Sequence, residues 1–69
     1  MTERLANRLR EEREFRGWTQ AELAERVGVS RKTINTIENA VFVPSTLTAL
    51  KIAEALERSV EQLFSVVED

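Results

Sequence analysis

Residues 20–39, QAELAERVGVSRKTINTIEN, have the pattern of two short helices joined by a tight turn. Apolar side chains recur at helical spacing before and after the turn, and these are Leu23, Ala24, Val27, Ile34 and Ile37. Gly28 can adopt the left-handed conformation that ends a helix, and Ser30 offers a hydroxyl that can cap the next one. The stretch therefore predicts one helix that ends at about Val27 and a second over residues 31–38.

The residues before this stretch predict a first helix over residues 3–16, with Thr2 as its cap. Leu5 and Leu9 are one helical turn apart and are expected to face the core. Phe15 lies at the edge of the same apolar stripe, so it is expected to be partly buried.

The junction between the first and second helices carries two further signals. Thr19 and Glu22 have the spacing of a capping box, in which each side chain satisfies an exposed backbone N–H group of the other residue. Trp18, the single Trp of the chain, is expected to fill the core beside this cap.

The chain after residue 39 predicts two more helices. One or two members of an apolar connection are expected to fold back onto the core, and its members are Val41, Phe42 and Val43. Ser45 or Thr46 is expected to cap a fourth helix. The predicted core face of this helix consists of Leu47, Leu50, Ala53 and Leu56. A second capping box, at Ser59 and Gln62, predicts a fifth helix over the last residues. Its apolar side chains are Leu63, Phe64, Val66 and Val67.

The composition limits both the fold and the function. A chain of 69 residues with two Gly and one Pro predicts a single all-α domain over residues 1–69, built from helices and short turns. Because there is no Cys and no His, neither a disulfide framework nor an ordinary zinc site is available, and no cofactor is expected. No small-molecule ligand is evident from the sequence. The chain contains neither an apolar run of membrane-helix length nor a secretory segment, so we expect a cytoplasmic protein without a membrane partner.

The charge is distributed unevenly. Residues 1–32 carry eight Lys or Arg against six Asp or Glu, whereas residues 33–69 carry two against six. One face can therefore be basic although the net charge of the chain is −2. The small number of cations predicts modest nonspecific affinity for DNA.

A set of motifs in a fixed order now indicates a family. RGWTQAELAERVGVSRKTINTIEN, residues 16–39, is followed by PST at 44–46 and by SVEQLF at 59–64. This order resembles the Cro/C1-type helix-turn-helix family of bacterial, archaeal and phage transcriptional regulators, also called the XRE family. The resemblance covers residues 9–64. It implies a five-helix, lambda-repressor-like domain in which helices two and three bind DNA.

The resemblance also implies roles for individual residues. Gln20 matches a Gln that typically contacts a phosphate, and Arg31 and Lys32 match the first positions of the recognition helix. Arg13 and Glu38 match a pair that forms a partly buried salt bridge near the DNA backbone in phage repressors of this type. The implied DNA-binding residues are Thr19, Gln20, Ser30, Arg31, Lys32, Thr33, Asn35, Thr36 and Asn39.

Three residues depart from the family pattern. Ala40 and Glu57 stand where relatives usually carry Gly, so those two helix ends must either close differently or hold a strained residue. Val41 stands where many relatives carry Lys or Arg, which removes a phosphate contact.

Sequence-specific binding of double-stranded DNA by a transcriptional repressor is the function that these features favour. One domain of this size buries little surface, so a homodimer on a palindromic operator is expected. The expected dimer contacts are the surplus apolar residues, Phe64, Val66 and Val67, with Val41 and Phe42 as a second surface. The alternatives are an antitoxin of a toxin–antitoxin pair and a protein-interaction module with the same fold. An enzyme is not expected, because no phosphate loop and no paired catalytic residues are recognisable.

Overall fold

The structure of the protein, a computed structural model, describes residues 2–68 as five helices and a two-stranded antiparallel sheet. In chain order the elements are β1 (Glu3–Asn7), α1 (Leu9–Phe15), α2 (Gln20–Val27), α3 (Arg31–Glu38), α4 (Thr46–Leu56), α5 (Val60–Leu63) and β2 (Phe64–Glu68). The predicted five-helix domain with a helix-turn-helix is confirmed. The sheet makes the description all-α only approximate.

The two ends of the chain form strands where helices were predicted. Leu5 of β1 lies opposite Val66 of β2, so residues 3–7 and 64–68 are not helical. The Phe and Val side chains of β2 favour a strand, and pairing with β1 satisfies those backbone groups of each segment that face the other strand. Residue 69, which the prediction placed in the fifth helix, lies outside the described residues.

The side chain of Asn7 marks the change from strand to helix. Its Oδ1 accepts a hydrogen bond from the backbone N–H of Leu9 at 3.1 Å, and its Nδ2 donates to the carbonyl of Ile37 at 2.9 Å. Asn7 therefore binds the first N–H group of α1 and ties the start of α1 to α3. The i, i+4 spacing of Leu5 and Leu9 predicted one continuous helix, but this spacing carries no information about the hydrogen bonds formed by Asn7, which lies between them in the chain.

Within residues 2–68, a core of eleven side chains lies between the helices and the start of β2. All five predicted apolar residues of α2 and α3 belong to it. The buried residues are Leu9, Leu23, Ala24, Val27, Ile34, Ile37, Ile52, Ala53, Leu56, Leu63 and Phe64. Trp18 is only half-buried; it packs against this core while the guanidinium carbon of Arg26 lies 4.1 Å from its ring centroid.

Helix α4 confirms two of the four predicted core residues, Ala53 and Leu56. Leu47 and Leu50 are exposed, and Ile52 is buried beside Ala53 and Leu56. The sequence of α4, TLTALKIAEAL, is apolar on most sides, so two stripes fit the helical period equally well. The buried stripe is the one that contains Ile52, and Ala53 and Leu56 are common to both stripes.

The apolar connection after α3 does not fold back onto the core. Its three residues, Val41, Phe42 and Val43, are exposed, as is Phe15 at the end of α1. The N–H groups of Val41 and Phe42 both donate to the carbonyl of Thr36, at 2.9 and 3.2 Å, and this closes the end of α3. The backbone of the connection is therefore fixed although its side chains meet solvent.

Both helix ends that lack the usual Gly carry a strained residue. Ala40 follows α3 with φ of 59°, and Glu57 ends α4 with φ of 54°. This is the left-handed region, which costs an L-residue about 1 kcal/mol or more.

We expect Ala40→Gly and Glu57→Gly each to raise the free energy of unfolding by about 0.5–1 kcal/mol, because glycine adopts this conformation without a side-chain penalty. Urea denaturation measures the change. Gly28→Ala is the matched control, since Gly28 has φ of 87° and an added Cβ would meet only the Lys51 Nζ atom at 3.6 Å. That change should destabilise. A loss of stability in both glycine variants would show that these helix ends are not strained.

Candidate nucleic-acid interface

Hydroxyl groups fix the starts of α2 and α3. The capping box is present, since Thr19 Oγ1 accepts from the N–H of Glu22 at 3.1 Å and Glu22 Oε1 accepts from the N–H of Thr19 at 2.8 Å. Ser30 Oγ accepts from the N–H of Thr33 at 3.1 Å and lies 2.9 Å from the Thr33 hydroxyl. The two helix starts are thus well defined, and both present the partial positive charge of a helix N-terminus.

The first turn of α3 presents two cations to solvent. Arg31 and Lys32 are exposed, and within residues 2–68 neither side chain forms an ion pair. Ile34 and Ile37 are fully buried and hold the opposite side of the helix against the core. The cations are therefore free to meet an anionic or hydrogen-bond-accepting partner.

The remaining predicted residues of α3 differ in how available they are. Asn35 is exposed, whereas Thr33 and Thr36 are half-buried. The Thr36 hydroxyl lies 3.0 Å from the carbonyl of Thr33 and 3.1 Å from that of Lys32, so its proton is bound within the helix. Thr36 can offer a partner its methyl group or an oxygen lone pair.

Glu38 accepts hydrogen bonds from three side chains. Arg13 binds both carboxylate oxygens, with Nε 2.7 Å from Oε2 and Nη2 3.2 Å from Oε1. Gln20 Nε2 and Arg10 Nε approach the same Oε1 atom at 3.1 and 3.5 Å. These four residues are called the Glu38 cluster below. The structure thus contains the ion pair of Arg13 and Glu38, with side chains 10% and 0% exposed.

The carboxylate of Glu38 is ionised at neutral pH. Burial raises its pKa, but the hydrogen bonds from Arg13, Gln20 and Arg10 outweigh burial and hold the pKa below its ordinary value. The same pair raises the pKa of Arg13, chiefly through the hydrogen bond to Glu38.

A polar network joins the start of α2 to the far end of α3. Gln20 Nε2 donates to Asn35 Oδ1 at 3.1 Å, and Asn39 Nδ2 donates to the same oxygen at 3.2 Å. Arg10 Nη2 then donates to Asn39 Oδ1 at 3.1 Å. The structure therefore brings Gln20, Asn35 and Asn39 together and adds Arg10, which the sequence reasoning did not include. Its position one turn before Arg13 on α1 was the signal that could have found it.

The residues expected at a dimer interface are not equally exposed. Phe64 is buried in the core, so it is not available as a surface contact, and Val67 is half-buried in the two-stranded sheet. Val66, Val41 and Phe42 are exposed.

Residues 2–68 contain neither a candidate metal site nor a candidate membrane-spanning helix. No cluster of three or more acidic side chains there could hold a metal ion, and none of the helices has the length and apolar composition of a membrane span.

Known proteins resemble this chain in sequence and in structure. The profile of the helix-turn-helix family matches residues 9–63. An uncharacterized HTH-type transcriptional regulator of Methanothermobacter thermautotrophicus is 48% identical over 62 residues, which cover 88% of this chain and 90% of that protein. A candidate DNA-binding protein from Bacteroides fragilis has a similar structure, with a TM-score of 0.77 and 30% identity over 88% of this chain and 98% of that one.

A third relative has a different role. The antitoxin HipB of Escherichia coli O6:H1 is 42% identical over 55 residues, which cover 80% of this chain but only 58% of HipB. The matched profile spans α1 to α5, and the capped α2–turn–α3 unit lies at its centre. On the strength of that match and of these relatives, the chain belongs to the Cro/C1-type helix-turn-helix family.

Proposed function

We propose that this protein is a transcriptional regulator that binds double-stranded DNA and inserts α3 into the major groove. The observation that carries the proposal is the first turn of α3, where Arg31 and Lys32 are exposed and form no ion pair with any residue of the described range 2–68, while Ile34 anchors the helix. An α-helix fits the major groove of B-DNA, and the N-terminal residues of a recognition helix contact base edges. The names of the relatives support the same role.

The two cations suit different acceptors. Arg31 has a planar fork that matches O6 and N7 of guanine, whereas Lys32 is a mobile charge that suits a base acceptor or a phosphate. The start of α2, at Thr19 and Gln20, would meet the sugar–phosphate backbone and fix the orientation of the protein.

Selection of bound duplexes from a pool of random DNA tests this function. We expect enrichment of one sequence with two related half-sites about one helical turn apart, because a two-fold dimer places its recognition helices at that separation. If the bound duplexes showed no sequence enriched over the starting pool, sequence-specific binding would be contradicted. Such binding over a promoter excludes RNA polymerase, so we propose repression, which a reporter fused to the selected site measures.

A homodimer is the assembly that we propose for this function, and its contact surface is an apolar patch. The patch consists of the exposed side chains of Phe42, Val43, Leu50 and Val66. Leu5 connects these residues, since it lines one cavity with Val43 and Val66 and another with Leu50. The cavity beside Leu50 has a volume of about 550 Å³. Monomers seldom expose such a surface, and a second copy would cover it.

We expect the protein to sediment as a dimer at tens of micromolar, and Val66→Asp to shift it to the monomer by placing a charge in the contact. Phe15→Asp is the matched control, because Phe15 is also exposed but lies outside the patch. Sedimentation as a monomer at high micromolar concentration would contradict the dimer. An equal effect of both substitutions would contradict the assignment of the surface.

An antitoxin is a second candidate function, which the similarity to HipB favours. The two functions are compatible if the protein binds both a toxin and DNA. Expression of the neighbouring gene alone and together with this one tests the idea. Toxicity that this protein relieves would support an antitoxin, and a harmless neighbour would contradict it.

A further inference from the structure

We propose that Arg10 binds a DNA phosphate beside the start of α2, as an additional residue of the DNA interface. The inference rests on the proposed DNA binding. Arg10 lies on α1, outside the helix-turn-helix, and it is absent from the set of residues that the family resemblance implies.

The Glu38 cluster places Arg10 next to a predicted phosphate contact. The Nε atom of Arg10 and the Nε2 atom of Gln20 approach the same oxygen of Glu38, at 3.5 and 3.1 Å. Gln20 is the first residue of α2, whose N-terminus attracts anions. A phosphate that meets the start of α2 therefore comes within reach of the Arg10 guanidinium.

The charge of the cluster supports an anionic partner. Glu38 is negative and Arg13 neutralises it in a nearly buried pair, so Arg10 leaves a net charge of +1. The Arg10 side chain is 49% exposed. Only its Nε and one Nη2 hydrogen are bound to acceptors within residues 2–68, so three of its five N–H groups can bind a ligand.

Neighbouring donors are less available than Arg10. Both amide hydrogens of Gln20 are bound, one to Asn35 and one to Glu38, so its Nε2 must release a bond before it can bind a phosphate. Val41 cannot donate from its side chain, although many relatives carry a cation there. Arg10 therefore supplies a charge that this end of the interface otherwise lacks. It lies far from the first turn of α3, so we expect it to contact the backbone and not the bases.

Binding of Arg10→Gln to the selected operator and to a scrambled duplex, each at several salt concentrations, tests the inference. We expect the negative slope of log K against log salt to become shallower by about one per half-site. Both DNAs should bind about tenfold more weakly per half-site at 0.1 M salt. Base preference should not change. Arg10→Lys should restore the slope, because it keeps the charge.

Arg58→Gln is the matched control. Arg58 is 42% exposed and its Nε lies 3.2 Å from a carboxylate oxygen of Glu12, so the change removes a similar ion pair and the same charge elsewhere on the surface. Equal slopes for Arg10→Gln and Arg58→Gln would overturn the inference while leaving DNA binding intact. A changed base preference with an unchanged slope would also overturn it. Failure of the unmodified protein to bind any DNA would overturn the proposed function as well.

Discussion

Glu38→Ala is expected to lower the free energy of unfolding by about 3–5 kcal/mol, because the nearly buried guanidinium of Arg13 then loses both of its carboxylate oxygens. A domain of this size has a total stability of only about 5–15 kcal/mol, so the variant should be close to unfolding. Urea denaturation followed by circular dichroism measures the loss.

Two controls separate this pairing from a general loss of contacts. Arg13→Ala together with Glu38→Ala should cost less than Glu38→Ala alone, since no unpaired charge remains buried. Glu12→Ala removes a carboxylate that also binds two arginines but is 21% exposed, so it should cost much less than Glu38→Ala. Coupling near zero in the double-mutant cycle would contradict the structural role of the pair.

The pair also predicts a pH dependence. Because the pKa of Glu38 is lower in the folded protein than its ordinary value of 4.5, its ionised form stabilises the fold above that pH. The contribution is lost as the pH falls through the folded pKa. The stability difference between the unmodified protein and Glu38→Gln should therefore shrink below pH 4.5. A difference that grows with acid would contradict the lowered pKa.

Arg31→Ala is expected to weaken binding to the operator by about 1–3 kcal/mol per half-site and to remove the preference at one base pair in each half-site. The reason is the loss of a bidentate contact that only the correct base can accept. Titration of operator and scrambled duplexes measures the affinity, and a repeated selection measures the preference.

Lys32→Ala is the comparison for this prediction. It removes the neighbouring charge on the same exposed turn, and we expect it to weaken both duplexes by a similar factor. If Arg31→Ala weakened both duplexes equally while Lys32→Ala changed the base preference, the two roles would be reversed. If neither change mattered, α3 would not be the element that contacts bases.

The helix-turn-helix and its caps could be predicted from the sequence because their signals are local. Thr19 with Glu22, and Gly28 followed by Ser30, specify two helix starts and one end by hydrogen bonds and backbone conformation within a few residues. The pair of Arg13 and Glu38 is separated by 25 residues, so the family resemblance was needed to predict it.

The remaining features depend on contacts between distant segments. β1 exists because residues 3–7 meet β2 across the whole length of the chain, and no periodicity within five residues shows this. In α4 both Leu50 and Ile52 fit an apolar stripe, and packing against α2 decides between them. Arg10 joins the interface through Glu38 and Asn39, which lie 28 and 29 residues away.

Protection of the operator from dimethyl sulfate tests most directly whether α3 occupies the major groove. This reagent methylates N7 of guanine in the major groove and N3 of adenine in the minor groove. We predict that the protein protects guanine N7 at one position or more in each half-site, and that Arg31→Ala restores methylation there. Guanine N7 atoms that stay reactive while adenine N3 atoms become protected would contradict the placement of α3 in the major groove.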